Sequence, residues 1–253
     1  MPMESGKEED EVNRIFVIGL GLPLAISVAE SVSEAVEIRW LGHSCFLITS
    51  SKGIKLITDP YEPGGFGGAI GYGKITTPAD IVTVSHEHAD HNYVKGVPGK
   101  PEVIRGVVSK EVKGIKITGI GTFHDKVGGR ERGKNTVFVL EVDGLRICHL
   151  GDLGHLLTDE QRKKIGHVDV LLIPVGGTYT IDASEASEVV SEISPKVVIP
   201  MHYKTKKVGL PIAGVEDFTK GKGNVKKIGK SNVKVEKDKL PKSTEIWVLE
   251  PEL

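Results

Sequence analysis

Two cysteines, Cys45 and Cys148, are all that the 253 residues contain, too few for a disulfide framework. Each lies inside an apolar run and reads as a buried, reduced thiol, and neither stands at a metal-ligand spacing. An excess of one charge is also lacking. With 33 basic and 34 acidic residues the net charge is −1, which argues against a chain that grips nucleic acid by bulk charge. Glutamine is nearly absent, Gln161 being the single one. Few thermolabile amides beside abundant Lys and Glu point toward a thermophilic source. The longest uncharged apolar stretch, residues 15–29, is short for a membrane span. Residues 61–78 hold six glycines but no phosphate-loop lysine pattern, which excludes a Walker motif.

The length fits one α/β domain preceded by a short leader. Residues 1–35 read as that leader, disordered or signal-like, and residues 36–253 as the domain. Residues 4–11 are acidic, the composition of a disordered segment. Residues 15–29 fit a signal-peptide core, with small residues Ala29 and Ser31 at its end. Only Lys7 and Arg14 precede it as basic residues, whereas a signal needs a positive n-region. The expected location is therefore cytoplasmic. Export, or membrane contact through residues 15–29, is the alternative.

What the chain does hold is His86-Glu87-His88-Ala89-Asp90-His91, three imidazoles and two carboxylates in six residues. It follows residues 80–85, an apolar run that reads as a buried strand. Neutral imidazole and carboxylate are donors that Zn²⁺ accepts at neutral pH. On extended backbone His86 and His88 point the same way, while Asp90 and His91 lie beyond, where a turn can aim them at a second ion. The rest of the chain repeats one arrangement, a strand followed by a polar residue. Residues 36–41, 45–49 and 54–58 read as strands, the first two joined by Gly42-His43-Ser44 and the third ending at Asp59-Pro60. Residues 103–105, 107–112 and 115–120 read as a second meander that ends in His124. Residues 136–142 and 145–150 form a hairpin about Asp143-Gly144 and lead to His149 and Gly151-Asp152. Thr158 and Asp182 are N-caps, the second opening a helix to about Ile193. Residues 169–174 and 196–200 are buried strands, the latter followed by Met201-His202. Residues 245–249 read as a return strand at a sheet edge. Lys126 to Lys134, with Arg130, Arg132 and three glycines, reads equally as a cationic loop that attracts an anionic substrate and as a solvated connection.

The H-x-H-x-D-H spacing, with W-L-G-H-S-C-F-L-I, H-L-G-D-L-G-H, I-P-V-G-G and P-M-H-Y, resembles the metallo-β-lactamase superfamily. Within it these segments look most like the branch containing L-ascorbate-6-phosphate lactonase. The resemblance covers roughly residues 36–205. It implies an αββα sandwich of two mixed β-sheets with helices on the outer faces. It implies two divalent metal ions, Zn²⁺ by default with Mn²⁺ or Fe²⁺ admitted. His86, His88 and His124 would hold one ion, Asp90, His91 and His202 the other, and Asp152 would bridge them. Asp59 would support a ligating histidine from behind, and His149 is a candidate for the same task. The implied chemistry is attack by a metal-bridging hydroxide, with Asp90 able to orient it. The oxygen-reducing di-iron branch carries glutamate at the place of His88, which argues against redox chemistry. The implied activity is hydrolysis of a small lactone, ester or amide, an anionic one if the cationic loop faces the site. Its competitors are a phosphodiesterase or nuclease, since the same nucleophile attacks phosphorus, and a non-catalytic metal-binding scaffold.

Overall fold

The computed structural model describes Met1 and residues 34–253. The expectations for residues 4–11 and 15–29 lie outside the described residues. Period-2 alternation builds the first sheet. In β1 (Ala35–Gly42) Val36, Ile38 and Trp40 are buried on one side, and they are joined there by Phe46 and Ile48 of β2 (Cys45–Thr49) and Leu56 of β3 (Lys55–Thr58). Cys45, Leu47 and Ile57 face the other way and bury in a second cluster. A single turn, α1 (Gly65–Gly68), then precedes β4 (Ile81–Val84) and β5 (Glu102–Arg105). Strands β1 to β3 pair antiparallel and β3 to β5 parallel, so the sheet is mixed.

After β5 the chain leaves for a second sheet. Strands β6 (Val108–Val112), β7 (Ile115–Phe123), β8 (Lys134–Val142) and β9 (Leu145–His149) form an antiparallel meander. Asp143 and Gly144 both take positive φ at the β8–β9 turn, as a type I′ hairpin requires. β10 (Val170–Pro174) and β11 (Val197–Met201) add in parallel. Helix α2 (Asp159–Ile165) precedes β10, and α3 (Ala183–Ile193) lies between β10 and β11. Each opens with a capping box, Thr158 with Gln161 and Asp182 with Glu185. Beyond β11 come α4 (Val215–Thr219), β12 (Val225–Lys227), β13 (Asn232–Glu236) and β14 (Glu245–Val248).

Three details differ from the sequence reading. Residues 103–105 are not part of the second meander. They belong to β5, which pairs with β4 and edges the first sheet. The strand at 245–248 is not at an edge, because it inserts between β11 and β12. The Lys-rich tail supplies two further strands, β12 on the second sheet and β13 against β1 on the first.

The two sheets share one large apolar core, to which the helices contribute Ile165, Ala186, Val189 and Phe218. This is the expected αββα sandwich. On the first sheet much of the cover is irregular chain: Tyr61, Ile70, Tyr72 and Ile75 pack with the outward residues of β2, β3 and β4. Gly42 permits that approach. A Cβ there would lie 2.5 Å from the Tyr72 ring, and its φ is +132°. Among the described residues no helix is long and apolar enough to cross a membrane. Both cysteines are free and buried, and burial pushes the Cys148 thiol up to about 12, so it is not a ready nucleophile.

The pairing pattern points β1, β3 and β4 one way, and likewise β7, β9, β10 and β11 in the second sheet. Their C-terminal ends meet at one place. Two backbone bonds stitch the sheets together there: Thr136 N donates to Ser85 O at 2.9 Å and His202 N to His43 O at 3.2 Å.

Candidate metal centre

Every sequence-predicted ligand lies just past one of these strand ends. The β4 loop carries four. It turns at His88, whose carbonyl accepts from the amides of His91 and Asn92 at 2.9 and 3.0 Å, and this turn swings Asp90 and His91 back inward. Glu87 faces outward instead, accepting from Arg105 Nε at 2.9 Å and Asn92 Nδ2 at 3.1 Å. His124 follows β7, Asp152 follows β9 and His202 follows β11.

Behind the loop lies a buried network. Asp59, fully buried with φ +37°, accepts from Ser85 N at 2.7 Å through Oδ1. Its Oδ2 accepts from Ser85 Oγ at 2.5 Å and from His91 Nδ1 at 2.9 Å. Ser85 Oγ in turn accepts from His86 Nδ1 at 2.9 Å. Each bond occupies an Nδ1 and turns the Nε2 of His86 and His91, the atom a metal ligand needs, toward the cluster. Burial opposes the charged form of His91, but Asp152 and Asp90 outweigh it and raise its pKa well above the ordinary value. Burial opposes ionisation of Asp59, but the hydrogen bond from His91 and the nearby imidazoles hold its pKa below the ordinary value.

The Nε2 atoms of four histidines converge on Asp152. Its Oδ2 lies 3.1 Å from Nε2 of His91, 3.3 Å from that of His202, 3.4 Å from that of His124 and 3.8 Å from that of His86. Donor atoms of His86, His88 and His124 lie within 4.8 Å of one another, as do those of His43, Asp90, His91 and His202. His86 Nε2, His91 Nε2, Asp90 Oδ1 and Asp152 Oδ1 are buried without a hydrogen-bond partner. An unmet buried polar atom costs about 1–3 kcal/mol, and four at one focus fit cations that would complete them. Burial, then the His91 charge, pulls the pKa of His86 down to about 3. It thus stays neutral at physiological pH. Asp152 and Asp90 are held well below the ordinary carboxylate range. Burial opposes this in both, and the surrounding imidazoles outweigh it.

Two further histidines, His43 and His149, pack beside the cluster. His43, with φ +52° and no exposure, is directed inward, its Nε2 3.0 Å from Asp90 Oδ2 and its ring 4.1 Å from that of His202. Burial, then the His202 charge, lowers its pKa to about 4. His149 contacts backbone: Nε2 donates to Ser44 O at 2.8 Å and Nδ1 accepts from Gly151 N at 3.2 Å. It braces the loops that carry His43 and Asp152 and bonds none of the seven ligand candidates. His155 is turned away, accepting from Phe123 N at 3.1 Å.

Sequence reasoning missed Ser85 and Asn135. Asn135 accepts from Asp152 N at 3.0 Å and donates to Thr122 Oγ1 and Leu150 O at 2.8 and 2.9 Å, fixing the bend that presents Asp152. The available signal was one amide at the head of the apolar run of β8. Gly154 and Gly176 press against the backbone of the candidate ligands. A Cβ on Gly154 would lie 2.3 Å from the His124 carbonyl carbon, and one on Gly176 2.2 Å from His202 O.

The cluster floors a cavity of about 270 Å³ whose walls include Phe66, Arg132, Tyr179 and Leu210. Phe66 comes from the glycine-rich stretch of residues 61–78, which places that stretch beside the cavity. A wider groove of about 820 Å³ begins at His86 and His88 and passes Arg105, Arg132 and Lys134.

A family model described as a β-lactamase superfamily domain matches residues 37–202. A UPF0173 metal-dependent hydrolase from Methanoregula boonei is 32% identical over 195 residues, covering 67% of this chain and 83% of that protein. One from Pyrococcus abyssi is 30% identical over 220 residues, covering 76% and 95%. Among solved structures, a candidate Zn-dependent hydrolase of the metallo-β-lactamase superfamily from Thermotoga maritima is 40% identical. It has a TM-score of 0.71 and covers 85% of this chain and 98% of that one. The short form of human tRNase Z, 13% identical with a TM-score of 0.51 over 67% of this chain and 93% of its own, shares the fold alone.

Proposed function

The chain belongs to the metallo-β-lactamase superfamily of metal-dependent hydrolases, and from that premise we propose that it hydrolyses a small lactone, ester or amide at a binuclear metal centre. The observation that carries this reading is the focus of unpartnered buried donor atoms at the floor of a cavity of about 270 Å³, a small-molecule scale. His86, His88 and His124 would hold one ion, Asp90, His91 and His202 the second, and Asp152 both. The imidazole-rich set suits Zn²⁺ and tolerates Mn²⁺ or Fe²⁺, and the Thermotoga maritima relative is described as Zn-dependent. Such ions supply an activated water near neutral pH and stabilise charge on the attacked group.

The chain's own groups do the rest. Asp90 is ionised, its Oδ2 is held by His43 at 3.0 Å and its Oδ1 has no partner. It therefore accepts and orients the proton of the attacking water. Asp59 and Ser85 lock the two imidazole tautomers. Phe66, Tyr179 and Leu210 give the substrate an apolar wall. The lactone preference rests on the likeness of the Gly151-Asp152 and Pro200-Met201-His202 segments to the lactonase branch. A phosphodiester substrate is the second reading. The adjoining groove, with Arg105 and Lys134 along it, favours it, and the net charge of −1 disfavours it.

The test is one paired assay on protein reconstituted with Zn²⁺ or Mn²⁺. A panel of lactones and esters is set against bis(p-nitrophenyl) phosphate, with His202→Ala as control. Lactone or ester turnover lost in the control is the expected result. Turnover of the phosphodiester alone selects the second reading. Two bound metals with no turnover of either would leave a binding protein.

A further inference from the structure

Asp125 organises the loop that follows His124. It is 2% exposed, and its carboxylate accepts four backbone amides. Oδ1 takes Val127 N at 2.9 Å and Gly129 N at 2.7 Å, and Oδ2 takes Glu131 N at 2.9 Å and Arg132 N at 2.8 Å. His124 N donates to Gly133 O and Gly133 N to Gly129 O, at 3.0 and 3.1 Å, closing the loop on itself. Lys126 Nζ ties it to Glu185 on α3 at 2.5 Å. A glycine-rich surface loop is ordinarily mobile. This one is clamped by a single carboxylate whose acceptors are all filled.

The clamp sets Arg132 at the mouth of the metal-centre cavity, with its guanidinium carbon 5.8 Å from the Tyr179 ring centre. The guanidinium donates no hydrogen bond to any described residue. Its nearest carboxylate is Glu131 at 3.6 Å, on a side chain 63% exposed, a contact of little strength. Arg132 is the one permanent cation among the described residues that line this cavity. Five unmet donors in a planar fork match a carboxylate or phosphate.

We propose that Arg132 is a specificity-determining residue that binds an anionic group of the substrate, a carboxylate or a phosphate, and that Asp125 is its positioning residue. The proposal rests on the reading of this cavity as the substrate site. It makes the substrate amphipathic, with an apolar part against Phe66 and Leu210 and an oxyanion beside Tyr179.

Calorimetric titration of the metal-loaded protein tests it without turnover. The probes, none of which holds an ester, lactone or amide bond, are butyrate, methylphosphonate and the neutral 2-pentanone, against wild type, Arg132→Met, Arg132→Lys and Asp125→Asn. Metal content is measured in each variant. Wild type should bind an anion and prefer it to the neutral ketone, and the tighter of the two anions identifies the group. Arg132→Met should weaken that anion by about 10- to 100-fold at unchanged metal content. Arg132→Lys should weaken it less, since the charge remains and the fork is lost. Asp125→Asn places an amide donor against two backbone donors and should weaken it while Arg132 is still present. Equal affinity in wild type and Arg132→Met, the anion then sitting on the metals alone, overturns the proposal. So does the absence of anion binding to wild type. Arg132-dependent binding by a protein that cleaves no lactone, ester or amide would overturn the proposed reaction and leave Arg132 in its role.

Discussion

Asp59→Asn probes how a buried carboxylate sets the imidazoles that face the metals. Asp59 receives three donors, the Ser85 amide at 2.7 Å, Ser85 Oγ at 2.5 Å and His91 Nδ1 at 2.9 Å. A carboxylate meets all three because it only accepts. Asparagine keeps one oxygen for the Ser85 amide and puts an NH₂ where Oδ2 stood. That donor finds a partner if His91 changes tautomer, accepting at a bare Nδ1 and moving its proton to Nε2. Nε2 is the atom 3.1 Å from Asp152 Oδ2, and a protonated Nε2 cannot ligate a cation. Loss of such a support typically lowers metal affinity by about 10- to 100-fold. The near-isosteric side chain confines the cost in metal-free stability to about 1–3 kcal/mol, the penalty for one mismatched buried group. Competition against a chromogenic chelator reads the affinity, and denaturant unfolding of the metal-free protein reads the stability. Unchanged affinity in both binding steps would refute the tautomer argument. So would an affinity loss that merely tracks a collapse of the fold.

Gly154→Ala should drive a methyl into the backbone between His124 and Asp125. The expected cost is about 1–3 kcal/mol of overpacking together with weaker metal binding, both read by thermal unfolding with and without Zn²⁺. A variant indistinguishable from wild type would mean that this contact relaxes freely. Away from the metals, Asp169 accepts from Lys237 Nζ at 2.6 Å, Arg146 N at 2.9 Å and His167 Nε2 at 2.9 Å. Burial raises its pKa, but these bonds outweigh burial and hold it below the ordinary value. A carboxyl depressed in the folded state stabilises fully above its unfolded pKa of about 4 and loses that stabilisation as pH falls through the folded value. Asp169→Asn should therefore be less stable than wild type near neutrality by about 1–3 kcal/mol. The gap should close in acid, and a gap independent of pH would contradict the ionic role.

The ligand set was legible because each candidate follows a strand whose apolar pattern is plain in the sequence. His86 follows Ile81–Val84, and His202 follows Val197–Met201. The hairpin at Asp143-Gly144 and the caps at Thr158 and Asp182 are local chemistry and could be read locally. The supporting groups could not. Ser85 and Asn135 match no motif, and their roles arise from contacts across 26 and 17 positions of chain. The sheet assignment of Glu102–Arg105 depends on which partner an edge strand finds, a non-local choice that alternation leaves open. In Asn232–Glu236 the alternation of Val233 and Val235 was present, but the surrounding lysines masked it. Residues 61–75 show neither helix nor strand period because Tyr61, Ile70 and Tyr72 cover the first sheet from irregular backbone.

The central claim is that seven side chains from four loops, His86, His88, Asp90, His91, His124, Asp152 and His202, form one binuclear metal centre. The most direct measurement is the metal-to-protein ratio after reconstitution and dialysis, for wild type, His202→Ala and Asp152→Ala. The expected ratios are about two for wild type, about one for His202→Ala, which removes a ligand of one ion, and fewer than one for Asp152→Ala, which removes a ligand shared by both. A wild-type ratio of one or none, or a ratio of two that survives Asp152→Ala, would contradict the claim.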